Sequence, residues 1–309
     1  MRAVVLAGGF GGARFARALA ETIGAENLTV IGNVGDDVEV FGLHVSPDLD
    51  SVLYVLAGLF DEERGWGRRD ETWNALGTAK ELGDATWFQL GDRDIGLHLL
   101  RTELLRHGEP LSAVTQRCTR AFGVATTIVP ATDDLLRTRI QTPEGTFDFQ
   151  EWFVHRGHRD DVDAVLVNGA DSARPAPGVV EALDGADAIL LAPSNPFVSI
   201  GPILAVRELR AVLEARRVRA VAVSPLIGGR TVKGPADRML ERLAGGTSAA
   251  HVAEVYRGLI DVLVLDEADA DDAPAVAALG IEPIVVKTLM SDGPARRRLA
   301  EAALGVAVA

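Results

Sequence analysis

The chain has 309 residues, 48% hydrophobic and 24% charged, with a formal net charge of -13. That length and apolar content provide a large core for a single α/β domain over residues 1–309. The negative balance excludes general nucleic-acid binding, which needs basic surface to meet phosphates. The one cysteine, Cys118, excludes an intrachain disulfide and fits a reducing cytoplasm; in a predicted helix it reads as a buried, inert thiol. No stretch approaches the length of a membrane-spanning helix, and Arg2 precedes only a brief apolar run, so no membrane partner and no cleavable signal are expected.

The amino-terminal stretch sets the frame. A short apolar strand, Ala3 to Ala7, runs into Gly8-Gly9-Phe10-Gly11-Gly12, and an alanine-rich helical stretch follows. A second strand, Leu28 to Ile31, ends in Gly32-Asn33-Val34-Gly35-Asp36-Asp37. Strand, glycine loop, helix, strand and acidic loop form the layout of a nucleotide-binding βαβ unit, in which glycines let the backbone approach a phosphate. Both common fingerprints fail. Counted from Gly9, the sixth position of a dinucleotide loop is Arg14 rather than glycine, and no P-loop lysine occurs before Lys80.

Next, Pro47 imposes an extended turn before Asp48, which reads as the cap of a helix from Leu49 to Phe60. Asp50 in its first turn joins Asp36 and Asp37 as a third carboxylate beside the same cleft. Three carboxylates near a phosphate site suggest Mg²⁺, which takes few protein oxygens and completes its shell with water and phosphate. Trp66, Trp73, Trp87 and Phe88 fall within one short region, either as core or as a wall for a flat ring. Leu90-Gly91-Asp92-Arg93-Asp94 is an alternating charged loop, either a solvated ion-pair cluster or part of the site. Helices are predicted for Ile95 to His107 and Leu111 to Phe122. Strands are predicted at Thr126 to Val129, Leu136 to Gln141 and Thr146 to Val154. Residues 50–160 thus read as a helical and β-hairpin insert that caps the cleft without folding independently.

From Val162 the βα alternation resumes. Strands Val162 to Val167, Ala188 to Ala192, Ala220 to Val223, Val262 to Leu265 and Pro283 to Val286 alternate with helices such as Pro202 to Ala215. The expected fold is a Rossmann-like, mostly parallel sheet with helices on both faces, plus the capping insert. Ligands bind such sheets at the carboxyl edge of the strands, where Gly8 to Gly12, Asn33, Asn168, Ser194 and Asn195 should converge. Ile227 to Gly234 is a second glycine loop whose Arg230 and Lys233 either reach phosphate or lie on the surface.

Several of these blocks together resemble one family, the 2-phospho-L-lactate transferases of coenzyme F-420 biosynthesis. The matching runs are Leu6 to Ala13, Gly32 to Asp37, Ser46-Pro47-Asp48-Leu49-Asp50, Leu90 to Asp94, Phe149-Gln150-Glu151, Pro193 to Pro196 and Ser199 to Leu204, in family order across nearly the whole chain. Arg64 to Gly67 and Glu71 to Asn74 look most like the actinobacterial branch, associated with phosphoenolpyruvate transfer. Phe10 departs from the family's common threonine, which removes a hydroxyl contact from the loop.

The resemblance implies transfer of a phosphoenolpyruvyl or 2-phospho-L-lactyl group from a guanosine diphosphate-linked donor. The acceptor would be the ribityl hydroxyl of 7,8-didemethyl-8-hydroxy-5-deazariboflavin, with GMP released and Mg²⁺ as cofactor. Gly8, Gly9, Gly11, Gly12, Asn33, Asn168, Ser194 and Asn195 would hold the donor, and Asp36, Asp37 and Asp50 the metal. Asp50, as base or orienter, and Arg93 would meet the acceptor, with Trp73 or Trp87 as a stacking wall. A homodimer is also implied. The alternative is a non-catalytic nucleotide-sugar-binding regulator, whose related family shares the fold and glycine loop. That family lacks the Pro-Asp-Leu-Asp and Gly-Asp-Arg-Asp blocks present here.

Overall fold

A computed structural model describes residues 1–84 and 87–308. Its centre is a seven-stranded sheet in the order Glu282–Val286, Val262–Asp266, Ala220–Val223, Ala188–Leu191, Ala3–Ala7, Leu28–Gly32, Thr127–Pro130. Every pairing in it is parallel. Ala3–Ala7, Ala188–Leu191, Ala220–Val223 and Val262–Asp266 are buried at every residue, as befits strands covered on both faces. The edge strand Glu282–Val286 is partly exposed, consistent with one free side.

The strand order reverses at Ala3–Ala7, which pairs with Leu28–Gly32 on one side and Ala188–Leu191 on the other. Its following loop, the glycine loop, therefore meets the Pro193-Ser194-Asn195 loop at the topological switch point. That crevice is where a doubly wound sheet leaves room for a ligand. Helix Gly9–Ile23 packs there against both Pro47–Leu56 and Gly293–Ala307, and Ala13, Phe15, Ala16 and Leu19 fill the contact as its buried stripe.

Two expected strands change place. Thr127–Pro130 is not part of a cap: it extends the central sheet beside Leu28–Gly32. Ala164–Asn168 does not resume the parallel sheet but forms one edge of a small antiparallel sheet, with Arg137–Thr142 in the middle and Gly145–Asp148 beyond. Short strands carry the same local pattern in either setting; only the distant pairing partner decides. The expected strand from Thr146 ends at Asp148, and Glu151–His155 coils into a π-helical turn that buries Trp152. A second apolar cluster, including Ile140, Phe149, Trp152, Val198 and Met239, fastens this small sheet to the main body. Pro202 to Ala215 is two helices, Gly201–Ala205 and Arg207–Glu214, broken by the extended backbone at Val206. Among the described residues, no helix is long and apolar enough to cross a membrane.

Candidate active site

The glycine loop is held from behind by side chains of its neighbours. Gly9 has φ +67°, a conformation that favours glycine, and a Cβ there would meet nothing closer than Ser199 Oγ at 3.9 Å, which leaves that face open. Gly8, Gly11 and Gly12 are required for close packing instead: a Cβ would lie 2.5 Å from Asp48 Oδ2, 3.0 Å from the Pro193 carbonyl and 2.7 Å from Ser194 Oγ, respectively. Helix Gly9–Ile23 has no cap from Gly8 and no acid in its first turn; Asp48 takes the Gly9 N–H, and the rest of the positive end suits an anion approaching the open face of Gly9.

Asp48 is the residue that sequence reasoning misplaced. Ser46 occupies the cap position of helix Pro47–Leu56, and Asp48 turns away from that helix. Its Oδ1 accepts from the Gly9 N–H at 2.8 Å and its Oδ2 from Asn33 Nδ2 at 2.9 Å. Asn33, fully buried, also donates to the Val198 carbonyl at 3.1 Å and accepts from the Gly35 N–H at 2.8 Å. Ser194 Oγ donates to the Gly8 carbonyl at 2.7 Å, and Asn195 Oδ1 caps the next turn by accepting from Phe197 N–H at 2.9 Å. Gly8 to Gly12, Asn33, Ser194 and Asn195 therefore converge as expected. Asn33, Ser194 and Asn195 spend these hydrogen bonds on building the floor of the crevice. Asn168 does not join them: it is exposed at the end of the small antiparallel sheet, because its strand left the central one.

Behind this floor, the acidic loop places two carboxylates in the interior. Asp37 Oδ2 accepts from Ser46 Oγ at 2.8 Å and lies 2.8 Å from His44 Nε2. The Oδ1 atoms of Asp36 and Asp37 are both buried with no hydrogen-bond partner. Burial, then the nearby Asp48 charge, holds the Asp36 carboxyl well above the usual carboxylate range. Two buried, partnerless carboxylate oxygens beside an anion-receptive helix end fit a small hard cation that fills its remaining positions with water and phosphate.

Asp50 stands apart from this pair. Arg101 grips it with both terminal nitrogens, Nη1 to Oδ2 at 2.9 Å and Nη2 to Oδ1, and His98 Nδ1 lies 3.9 Å from Oδ2. All three side chains are buried. Burial lowers the His98 pKa to about 4, so the imidazole is neutral, whereas the Asp50 charge outweighs burial and raises that of Arg101. With both oxygens taken by a guanidinium, Asp50 is not gathered with Asp36 and Asp37. Among the described residues, no three His, Cys, Asp or Glu side chains cluster for a metal.

The opposite wall comes from residues 54–94. Asp92 caps helix Asn74–Glu81, accepting from the Asn74 and Ala75 N–H groups at 3.0 Å and from Thr72 Oγ1 at 2.6 Å. Glu71 returns the contact at helix Asp92–Arg106, accepting from the Arg93 and Asp94 N–H groups at 2.8 and 3.0 Å. Between them, Arg93 is exposed, and its guanidinium forms no ion pair or hydrogen bond among the described residues. Asp94 is buried near Tyr54, whose hydroxyl also lacks a partner of good geometry. Burial first, then Asp50 and Glu71, pushes the Asp94 carboxyl up to about 7. The tryptophans form two separate groups. Trp73 meets Trp66 edge-on at 5.9 Å, with the Arg64 guanidinium over both rings, whereas Trp87 packs against Phe88 and His155. Sequence reasoning missed Tyr54, Asp94 and Arg101. The last carried one local signal, the spacing of His98 and Arg101 on one helix face.

Comparison with known proteins identifies the family. The model of the family described as 2-phospho-L-lactate transferase CofD matches residues 3–283. A phosphoenolpyruvate transferase of Kitasatospora aureofaciens is 45% identical over 99% of this chain and 98% of its own length. One of Streptomyces coelicolor is 43% identical over the same shares. A 2-phospho-L-lactate transferase of Methanosarcina mazei is 37% identical over 96% of this chain and 98% of its own. A crystal structure of a UPF0052 family member from Bacillus halodurans shares the fold, with a TM-score of 0.65 at 16% identity over 98% of both chains. Carrying the family's pattern from the first strand to the last strand of its sheet, the chain belongs to the 2-phospho-L-lactate transferase CofD family.

Proposed function

We propose that this chain transfers a phosphoenolpyruvyl group from a guanosine diphosphate-linked donor to the ribityl hydroxyl of 7,8-didemethyl-8-hydroxy-5-deazariboflavin, in coenzyme F-420 biosynthesis in the cytoplasm. The observation that carries the reading is the pair of buried, partnerless oxygens on Asp36 and Asp37 near the start of helix Gly9–Ile23. One end of the crevice suits phosphate, and the other suits the cation that accompanies it. Family membership supports a transferase of phosphate-containing groups, and the higher identity to the Kitasatospora and Streptomyces coelicolor phosphoenolpyruvate transferases than to the Methanosarcina protein favours the enolpyruvyl donor over 2-phospho-L-lactyl.

In this reading the open face of Gly9 and the helix end receive the donor's diphosphate. Asp36 and Asp37 would hold Mg²⁺, which when bound neutralises charge on the transferring phosphate. Asp50, its oxygens fixed by Arg101, orients the acceptor hydroxyl, and the free guanidinium of Arg93 meets the acceptor's polar ring edge. Trp73 and Trp87 line the approach. The hydroxyl oxygen bonds to the distal phosphorus as the bond to the bridging oxygen breaks. The electron pair stays on GMP and the hydroxyl proton passes to solvent. A homodimer is part of the same proposal.

The test is incubation of purified protein with the deazaflavin, Mg²⁺ and each donor in turn, with GMP and product measured by mass spectrometry. Product bearing the enolpyruvyl group supports the reading. Binding of both ligands without GMP release would favour the non-catalytic regulator. Asp36→Asn with Asp37→Asn should reduce turnover a hundredfold or more, and full activity in that folded variant would sink the metal assignment. Asp50→Asn should abolish transfer in a protein that stays folded.

A further inference from the structure

The chain is strongly acidic, yet three cations without acidic partners gather beside the glycine loop. Arg14 stands where a dinucleotide fingerprint has its last glycine. Helical side chains lean toward their amino terminus, so Arg14 reaches back over Phe10, its guanidinium carbon 5.3 Å from the ring centre. Its Nη2 donates to the Met290 carbonyl, while its Nε is buried without a partner. Arg296, in the first turn of helix Gly293–Ala307, likewise has a buried Nε with no partner. The ammonium of Lys233, from the second glycine loop, lies 5.7 Å from the centre of the same Phe10 ring and donates to the Gly65 carbonyl at 3.0 Å. None of the three forms an ion pair among the described residues.

Such a grouping is unfavourable on its own account. Burial, and then repulsion from Arg296, lowers the Arg14 pKa, and the Glu62 charge offsets part of it. Glu62 is itself engaged by Arg17 at 3.7 Å. Two arginines that repel one another, and two cations over one apolar ring, with donor hydrogens left over, are balanced by an anion between them. The second glycine loop cannot supply that cradle from its own backbone. The Gly228 and Gly229 N–H groups are already donated to Asp269 at 3.0 and 2.7 Å.

We propose that Arg14, Arg296 and Lys233 form a phosphate seat that binds the nucleoside-side phosphate of the diphosphate donor. The reacting phosphate is left to Gly9 and the Asp36–Asp37 pair. The inference rests on the donor reading above and adds a second, cationic half to it. As the bond between the two phosphates breaks, negative charge grows on the departing nucleoside monophosphate, and the seat stabilises it there.

The experiment is calorimetric titration of the full chain with GDP, GMP and guanosine at two ionic strengths. The variants are Arg14→Gln, Arg296→Gln and the exposed Lys233→Gln. Each arginine variant should bind GDP about tenfold more weakly, with a shallower salt dependence, while guanosine binding is unchanged. Unaltered GDP affinity in folded variants overturns the seat. An equal loss for GDP and guanosine also overturns it, assigning the arginines to packing around Met290. Should Arg14→Gln fail to fold, Arg296→Gln and Lys233→Gln decide alone. A wild-type chain that binds none of the three ligands instead overturns the donor reading, and the seat with it.

Discussion

The two walls of the crevice are built on opposite terms. On the donor side, Asp48, Asn33, Ser194 and Asn195 tie four loops together, and these side chains all find partners. On the acceptor side, the Tyr54 hydroxyl, Asp94 Oδ1 and the Arg93 guanidinium are left over. The floor beneath the glycine loop is tied before any ligand arrives; the acceptor side carries polar groups whose partners are still to come. A floor that must not move is worth rigid hydrogen bonds, whereas groups that meet a substrate must be free to do so.

The strongest way to break this contrast is at the seam between the walls, the Asp50–Arg101 pair. Arg101→Ala leaves the Asp50 carboxylate buried without its partner and should destabilise the fold by about 3–5 kcal/mol, read from denaturant unfolding. Adding Asp50→Asn to that variant should recover part of the loss, and no recovery would show that Arg101 acts by packing alone. On the donor wall, Asp48→Ala strands the Gly9 N–H and the Asn33 amide. A loss of about 2–3 kcal/mol is expected, with a weakened affinity for GDP.

On the acceptor wall, Asp94 makes a prediction with a sign. Its carboxyl is raised from 3.8 to about 7 in the folded chain, so between those values the folded state holds a proton that the unfolded state has lost. Stability then falls as pH rises through that window, by roughly 1.4 kcal/mol per pH unit from this group at most, and levels off above pH 7. Asp94→Asn should flatten that slope; an identical slope in wild type and variant would place the ionisation elsewhere. The smallest structural effect is expected from Arg93→Gln. Exposed and unpartnered, Arg93 should contribute less than about 0.5 kcal/mol to stability, yet its loss should raise the KM for the deazaflavin.

The same contrast explains what could be read from residue order. The glycine loop, the acidic loop and the four parallel strands from Ala188 onward announce themselves by local pattern, since apolar runs and punctuating glycines are short-range features. Asp48 does not. Beside Pro47 it looks like a helix cap, and only the folding of Gly9 and Asn33 onto it, from distant parts of the chain, reveals its use. Thr127–Pro130 and Ala164–Asn168 exchanged roles for the same reason, because a strand's neighbour is not written in the strand. Arg101 was passed over because a single arginine in a helix looks like solvent-facing charge until its burial is seen.

Glu71 and Asp92 cap one another's helices across the acceptor wall. Helix Asn74–Glu81 buries none of its own residues, so its order depends on that exchange rather than on a hydrophobic face. Fraying of either helix start releases the cap of the other, which couples the two into one cooperative opening unit. Amide protons at the starts of both helices should therefore exchange with solvent at matching rates. The two helix starts would then open together rather than one at a time.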